Sequence, residues 1–255
     1  LITLWGRRLD QEEAVLLSAQ PTDVGLSPLS WSPSGTRLLM QTEFNREPTY
    51  AVLPAGSAEP AQDIIPDRAE PLASYGFGSS GWSPDGALLA YHVYRQEPEA
   101  PGKEGRIVDV RTGKEVALDG IFIAWSPGGS QLLYAPSTAA AAPNTTSTAD
   151  DGLYDLHVTD RRGTSSRRIG AGYAAAWSPD GREVAYVSAA PALMAHDLAT
   201  GRQTTLLGRG ALLETLGFTP SPSSTYAAPF ALAWPPNGEG IALGASDLSH
   251  DPPED

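Results

Sequence analysis

Trp82-Ser83-Pro84-Asp85-Gly86-Ala87-Leu88-Leu89-Ala90-Tyr91 is the stretch from which the fold follows. Proline presets φ for the first corner of a turn, and Asp-Gly supplies the positive φ that lets two strands reverse tightly. The apolar run Leu89-Ala90-Tyr91 is too short for a core helix and reads as a strand buried on both faces.

The same unit recurs along the chain. Trp31-Ser32-Pro33-Ser34-Gly35, Trp125-Ser126-Pro127-Gly128-Gly129 and Trp177-Ser178-Pro179-Asp180-Gly181 match closely, and Trp234-Pro235-Pro236-Asn237-Gly238 is a drifted fifth copy. The five tryptophans are separated by 51, 43, 52 and 57 residues. Each glycine is followed in register by an apolar triplet: Leu38-Leu39-Met40, Leu132-Leu133-Tyr134, Val184-Ala185-Tyr186 and Ile241-Ala242-Leu243. A second hairpin follows in each unit, most visibly at Ile107 to Val116 and at Leu193 to Arg202. Four antiparallel strands repeating at this period are the signature of a propeller blade.

The expected fold is therefore all-β, a β-propeller of four-stranded antiparallel blades forming one domain over residues 1–255. Residues 1–20 read as strands three and four of a blade, and residues 230–246 as strands one and two. Joined, they make a fifth blade split between the termini, which removes exposed sheet edges. A longer propeller trimmed at both ends would leave the same pattern.

These residues resemble the TolB-type propeller repeat, in which a Trp-Ser-Pro-Asp-Gly turn precedes a short apolar strand ending in an aromatic. The resemblance spans nearly the whole chain and implies a noncatalytic scaffold that acts through protein partners in the periplasm or extracellular space. An anchor preceding Leu1 fits that setting, and the chain opens without an initiator methionine. TolB-type proteins carry six blades and a separate amino-terminal domain, and neither a sixth motif nor that domain is evident here. The repeat also resembles the accessory propeller of prolyl-oligopeptidase-like peptidases, whose hydrolase domain has no counterpart in these residues.

Composition narrows the partners. Thirty acidic against seventeen basic residues give a net charge of −13, which repels phosphate backbones and anionic headgroups, so no nucleic-acid partner is expected. No cysteine is present, which removes disulfides, thiolate metal sites and thiol nucleophiles. No run of about 18 apolar residues exists to span a bilayer as a helix.

Chemistry is sparse. The two positions before each tryptophan, which would line a central channel, are Leu29-Ser30, Ser80-Gly81, Ile123-Ala124, Ala175-Ala176 and Leu232-Ala233, with no carboxylate or imidazole. His92, His157, His196 and His250 are not at metal-ligand spacing, and Gly76-Phe77-Gly78-Ser79-Ser80-Gly81 is not a nucleophile elbow. No catalytic residue, metal or cofactor is assigned. Asn144-Thr145-Thr146 is a formal glycosylation acceptor without an assigned role, and Arg161, Arg162, Arg167 and Arg168 read as a solvated turn.

Strand order puts the one-to-two and three-to-four turns on one side. The long connections, around 66–77, 93–104, 136–152 and 209–229, lie on the other, where binding residues usually concentrate. Tyr75, Phe77, Tyr94, Arg95 and Tyr226 fall there and are the expected partner contacts, since aromatic and arginine side chains anchor interfaces. The alternative function is an enzyme or small-ligand binder whose polar loop residues meet at the channel mouth.

Overall fold

The computed structural model describes residues 2–6, 15–20, 24–44, 47–54, 62–63, 73–76, 81–95, 102–118, 120–136, 154–216 and 231–244. The chain forms two compact units, Leu1–Leu118 and Asp119–Asp255.

In the first unit, β1 (Ile2–Gly6) and β2 (Val15–Gln20) pair as an antiparallel hairpin. They are followed by β3 (Val24–Trp31), β4 (Arg37–Phe44), β5 (Glu47–Pro54) and β6 (Gln62–Asp63), a four-stranded sheet in sequence order. A second such sheet holds β7 (Ala73–Gly76), β8 (Leu88–Arg95), β9 (Gly102–Asp109) and β10 (Glu115–Leu118). Each is the four-stranded antiparallel meander expected of a blade.

The second unit starts with β11 (Ile121–Trp125), β12 (Gln131–Ala135), β13 (Tyr154–Asp160) and β14 (Ser166–Trp177). It continues with β15 (Glu183–Ser188), β16 (Leu193–Asp197) and β17 (Gln203–Leu207). These seven strands form one sheet, because β14 serves twice. Its first half pairs with β13 through Thr159↔Ser166 to Tyr154↔Gly172, and its second half pairs with β15 through Gly172↔Ser188 to Trp177↔Val184. The last strand of one four-stranded unit thus runs straight into the first strand of the next. At the handover a Cβ on Gly172 would stand 2.5 Å from the Val187 carbonyl oxygen, so no larger residue fits without a backbone shift. A short helix, α1 (Arg209–Thr215), follows β17, and β18 (Ala231–Ala233) and β19 (Ala242–Gly244) close the described chain as an antiparallel pair.

The motif turns show what every motif residue does. The glycine N–H donates to the serine carbonyl in each of the first four copies (2.8 to 2.9 Å), with proline at the first corner and glycine at φ +67° to +69°. Only the glycine takes up positive φ. The serine hydroxyl, which the sequence left unexplained, accepts the backbone N–H five residues on: Arg37 at 3.1 Å, Leu88 at 2.9 Å, Gln131 at 3.0 Å and Glu183 at 2.9 Å. Where aspartate follows, the same hydroxyl donates to its Oδ1, at 2.6 Å in Asp85 and 2.7 Å in Asp180.

Burial follows the repeat. Leu38-Leu39-Met40, Leu89-Ala90-Tyr91, Leu132-Leu133-Tyr134 and Val184-Ala185-Tyr186 are all buried. Within the first unit Trp82, Leu89 and Tyr91 pack with Leu39 and Val52 of the preceding sheet, so the core lies between sheets. In the second unit Leu133, Leu156, Val158, Trp177 and Val184 form the corresponding cluster, between the two halves of the seven-stranded sheet. The fifth triplet departs from expectation: Ala242 is exposed and Ile241 and Leu243 are half-buried. Among the described residues β19 is paired only with β18, and Pro235 stands where the other motifs carry serine, so the hydroxyl bond is absent.

Ser178→Ala removes the acceptor of the Glu183 N–H and leaves a partly buried donor unsatisfied. We expect it to lower stability by about 1–3 kcal/mol, read as a lower urea midpoint at unchanged slope. A midpoint equal to wild type would show that the hydroxyl contributes nothing.

Candidate functional site

The long connections are partly structured. Residues 93–95 and 102–104 belong to β8 and β9, residues 73–76 to β7, and residues 209–215 to α1, where loops were expected. The cause is that β8 and β9 extend as a long ladder, from Leu88↔Asp109 to Arg95↔Gly102. Helix α1 forms because Leu212, fully buried, docks it on a cluster with Val187 that also takes in Leu207, Leu232 and Leu243, while Leu213 beside it is fully buried as well.

The ladder gathers three of the five expected contacts. Tyr75 pairs with Val93, Tyr94 with Ser74 and Arg95 with Ala73, so all three occupy consecutive register positions where β8 leaves β7. Phe77 and Tyr226 lie outside the described residues, as do Asn144 and His250.

A different constellation arises on β12, β13 and β14. Asp155 and His157 alternate on β13, Ser166 and Arg168 alternate on β14, and Tyr134 comes from β12. The Tyr134 hydroxyl donates to Ser166 Oγ at 2.8 Å, and Ser166 Oγ lies 2.8 Å from His157 Nδ1. His157 Nε2 lies 3.3 Å from Asp155 Oδ2, while Arg168 Nε donates to Asp155 Oδ1 at 2.7 Å. The carboxylate beside Nε2 makes that nitrogen the donor and leaves Nδ1 to accept the serine proton. Every hydrogen bond in the chain then points the same way, from tyrosine through serine to imidazole. Such a chain braces three strands, and it also polarises a serine hydroxyl toward a base.

The basic cluster is exposed at Arg162, Arg167 and Arg168, as a solvated charge run would be, but it extends from the turn onto β14. Arg167 Nη1 donates to the Leu198 carbonyl and Arg168 is held by Asp155, whereas Arg162 stays on the exposed turn with its backbone N–H on Asp160. The sequence signal for the polar chain was the Asp-x-His and Ser-x-Arg alternation. Its register depends on an irregularity between Leu156 and His157 that no sequence pattern announces.

His196 on β16 is buried, and neither ring nitrogen makes a hydrogen bond among the described residues. The nearby Ile169 carbonyl already accepts Gln203 Nε2 at 2.8 Å. Burial, reinforced by the Arg167 charge and only partly opposed by the Asp197 charge and the nearby Ile169 backbone, holds the imidazole below its ordinary pKa. In the unfolded chain the ring titrates at about 6.5. As pH falls through that value the unfolded state takes up a proton that the folded ring refuses, so folded stability drops. We expect the stability of wild type to fall more steeply than that of His196→Gln between pH 7.5 and 5.5. Equal slopes in urea titrations would exclude this origin.

No family model and no curated protein matches the sequence. Solved structures do. TolB from Acinetobacter baumannii is 16% identical with a TM-score of 0.46, covering 94% of this chain and 53% of that one, so the chain spans about half its length. The putative TolB from Agrobacterium tumefaciens is 16% identical with a TM-score of 0.47, covering 96% and 84%. An oligogalacturonate lyase in complex with manganese is 14% identical with a TM-score of 0.41, covering 98% and 80%. No residue role passes from these proteins to this chain. No helix among the described residues is long and apolar enough to cross a membrane.

Proposed function

We propose that this chain is a noncatalytic protein-recognition scaffold acting in the periplasm or extracellular space. In this reading residues 1–255 form one propeller, closed by a split blade of β1, β2, β18 and β19. The turn motif and its resemblance to TolB-type repeats support the scaffold. The observation that carries the recognition surface is the end of the β7–β8–β9 ladder. It brings Tyr75, Tyr94 and Arg95 to consecutive register positions of one ladder, and aromatic and arginine residues are the types that most often anchor interfaces. Tyr226 and Phe77 complete the proposed contact set.

The test is cross-linked capture from the envelope or secreted fraction of the producing organism, with wild type and a Tyr94→Ala, Tyr226→Ala double variant as baits. We expect the variant to lose a protein that wild type retains. Identical profiles would remove this rim from consideration.

The Tyr134–Ser166–His157–Asp155 chain favours a second reading, a hydrolase with Ser166 as nucleophile. The two separate cleanly with p-nitrophenyl acetate. The scaffold reading expects hydrolysis at the buffer rate, and turnover that vanishes in Ser166→Ala would replace it with the hydrolytic one.

A further inference from the structure

A cleft of about 300 Å³ opens in the first unit between the turns that follow β3, β9 and the Trp82 motif, lined by Ser34, Thr36, Arg37, Asp85, Asp109 and Arg111. It lies on the turn side, apart from the rim proposed above, and does not depend on that reading.

The second unit builds the same backbone arrangement. A Cβ on Gly86 would meet Pro33 Cδ at 3.9 Å, and one on Gly181 would meet Pro127 Cδ at 3.6 Å, so each motif turn packs on the preceding one through the same proline. The three-to-four turns match bond for bond. Asp109 Oδ1 accepts the N–H groups of Arg111 (3.0 Å) and Thr112 (2.8 Å), and Asp197 Oδ1 accepts those of Ala199 (2.9 Å) and Thr200 (2.7 Å). The second unit makes these turns with Gln131 at the position of Arg37 and Ala199 at that of Arg111. The fold therefore does not require either arginine. Arg182, a guanidinium that the second unit adds instead, lies 3.7 Å from its own Asp180.

The donors and acceptors lining the cleft are unequally occupied. Asp85 Oδ1 accepts the Ser83 hydroxyl and the Ala87 N–H, at 2.6 and 3.0 Å, and Asp109 Oδ1 is taken by its turn. Among the described residues no carboxylate oxygen lies within 4.0 Å of either guanidinium, and Arg37 Nη1 reaches only the Gly86 carbonyl at 3.4 Å. Two forks with vacant N–H donors stand beside the Ser34 and Thr36 hydroxyls, which share one hydrogen bond of 2.7 Å. A planar monoanion suits this set. Guanidinium forks bind carboxylates bidentately, whereas a dianion such as phosphate would meet twice the repulsion from Asp109.

We propose that this cleft binds a carboxylate-bearing ligand, gripped by Arg37 and Arg111. The carboxylate has two sources, a peptide C-terminus or a small organic acid. Isothermal titration of the full chain with acetyl-Gly-Gly, its C-terminal amide, glutarate and inorganic phosphate tests the site and separates them. We expect saturable binding of at least one carboxylate, none of the amide, and at least tenfold weakening in both Arg37→Gln and Arg111→Ala. Those variants install the residues that the second unit carries, and unchanged circular dichroism and thermal midpoint would exclude misfolding. Tighter peptide than glutarate binding assigns a chain terminus, and the reverse order a small acid. The proposal is overturned if neither carboxylate saturates, if neither substitution weakens binding, or if phosphate binds more tightly than both carboxylates.

Discussion

The bond from the motif serine hydroxyl to the backbone five residues on is the constraint from which the rest of the structure follows. It satisfies a donor inside a tight reversal where both neighbouring strands are about to be buried, and the serine itself is 0 to 5% exposed in all four copies. A buried N–H without an acceptor costs more than the bond contributes, so a strand that enters the core directly after a turn needs this device or an equivalent. Where Pro235 replaces the serine, the turn survives through the Gly238 N–H to the Pro235 carbonyl at 2.9 Å, but the following strand is not buried. Turn closure and strand burial are separable, and only the hydroxyl accompanies both.

The fold was legible because its determinants are local and repeated. Proline, glycine and a three-residue apolar run need no knowledge of tertiary structure, and the four-stranded meanders follow from their spacing. What the sequence hid depends on partners far along the chain. Helix α1 is seven residues with Gly208 at its N-cap and no side-chain cap, and Leu212-Leu213 would suit a strand equally well until Val187 is seen against Leu212. The double use of β14 rests on Gly170 and Gly172 fitting against Tyr186 and Val187, a contact between neighbouring strands rather than a motif.

The functional residues were less legible for the same reason. Asp155, His157, Ser166 and Arg168 meet only because a register irregularity aligns two strands, and Arg167 and Arg168, read together as solvated charge, go to different acceptors. The turn side was expected to be plain, since its connections are short. Yet short turns fix their side chains closely. The cleft of Arg37 and Arg111 stands out by comparison between repeats, where one copy builds the same backbone without the charges.

The motif tryptophans differ in how far they are covered. Trp82, Trp125 and Trp177 are 5 to 8% exposed, and Trp177 Nε1 donates to the Ala124 carbonyl of the preceding repeat at 3.3 Å. Trp82, packed with Leu39 and Val52, and Trp177 are thus each covered by the repeat before them. Trp31 is 48% exposed, with Leu29 beside it at 42%, and among the described residues the sheet before it has two strands, β1 and β2, in place of four. Leaving an indole half in water forgoes roughly 1–2 kcal/mol of apolar burial.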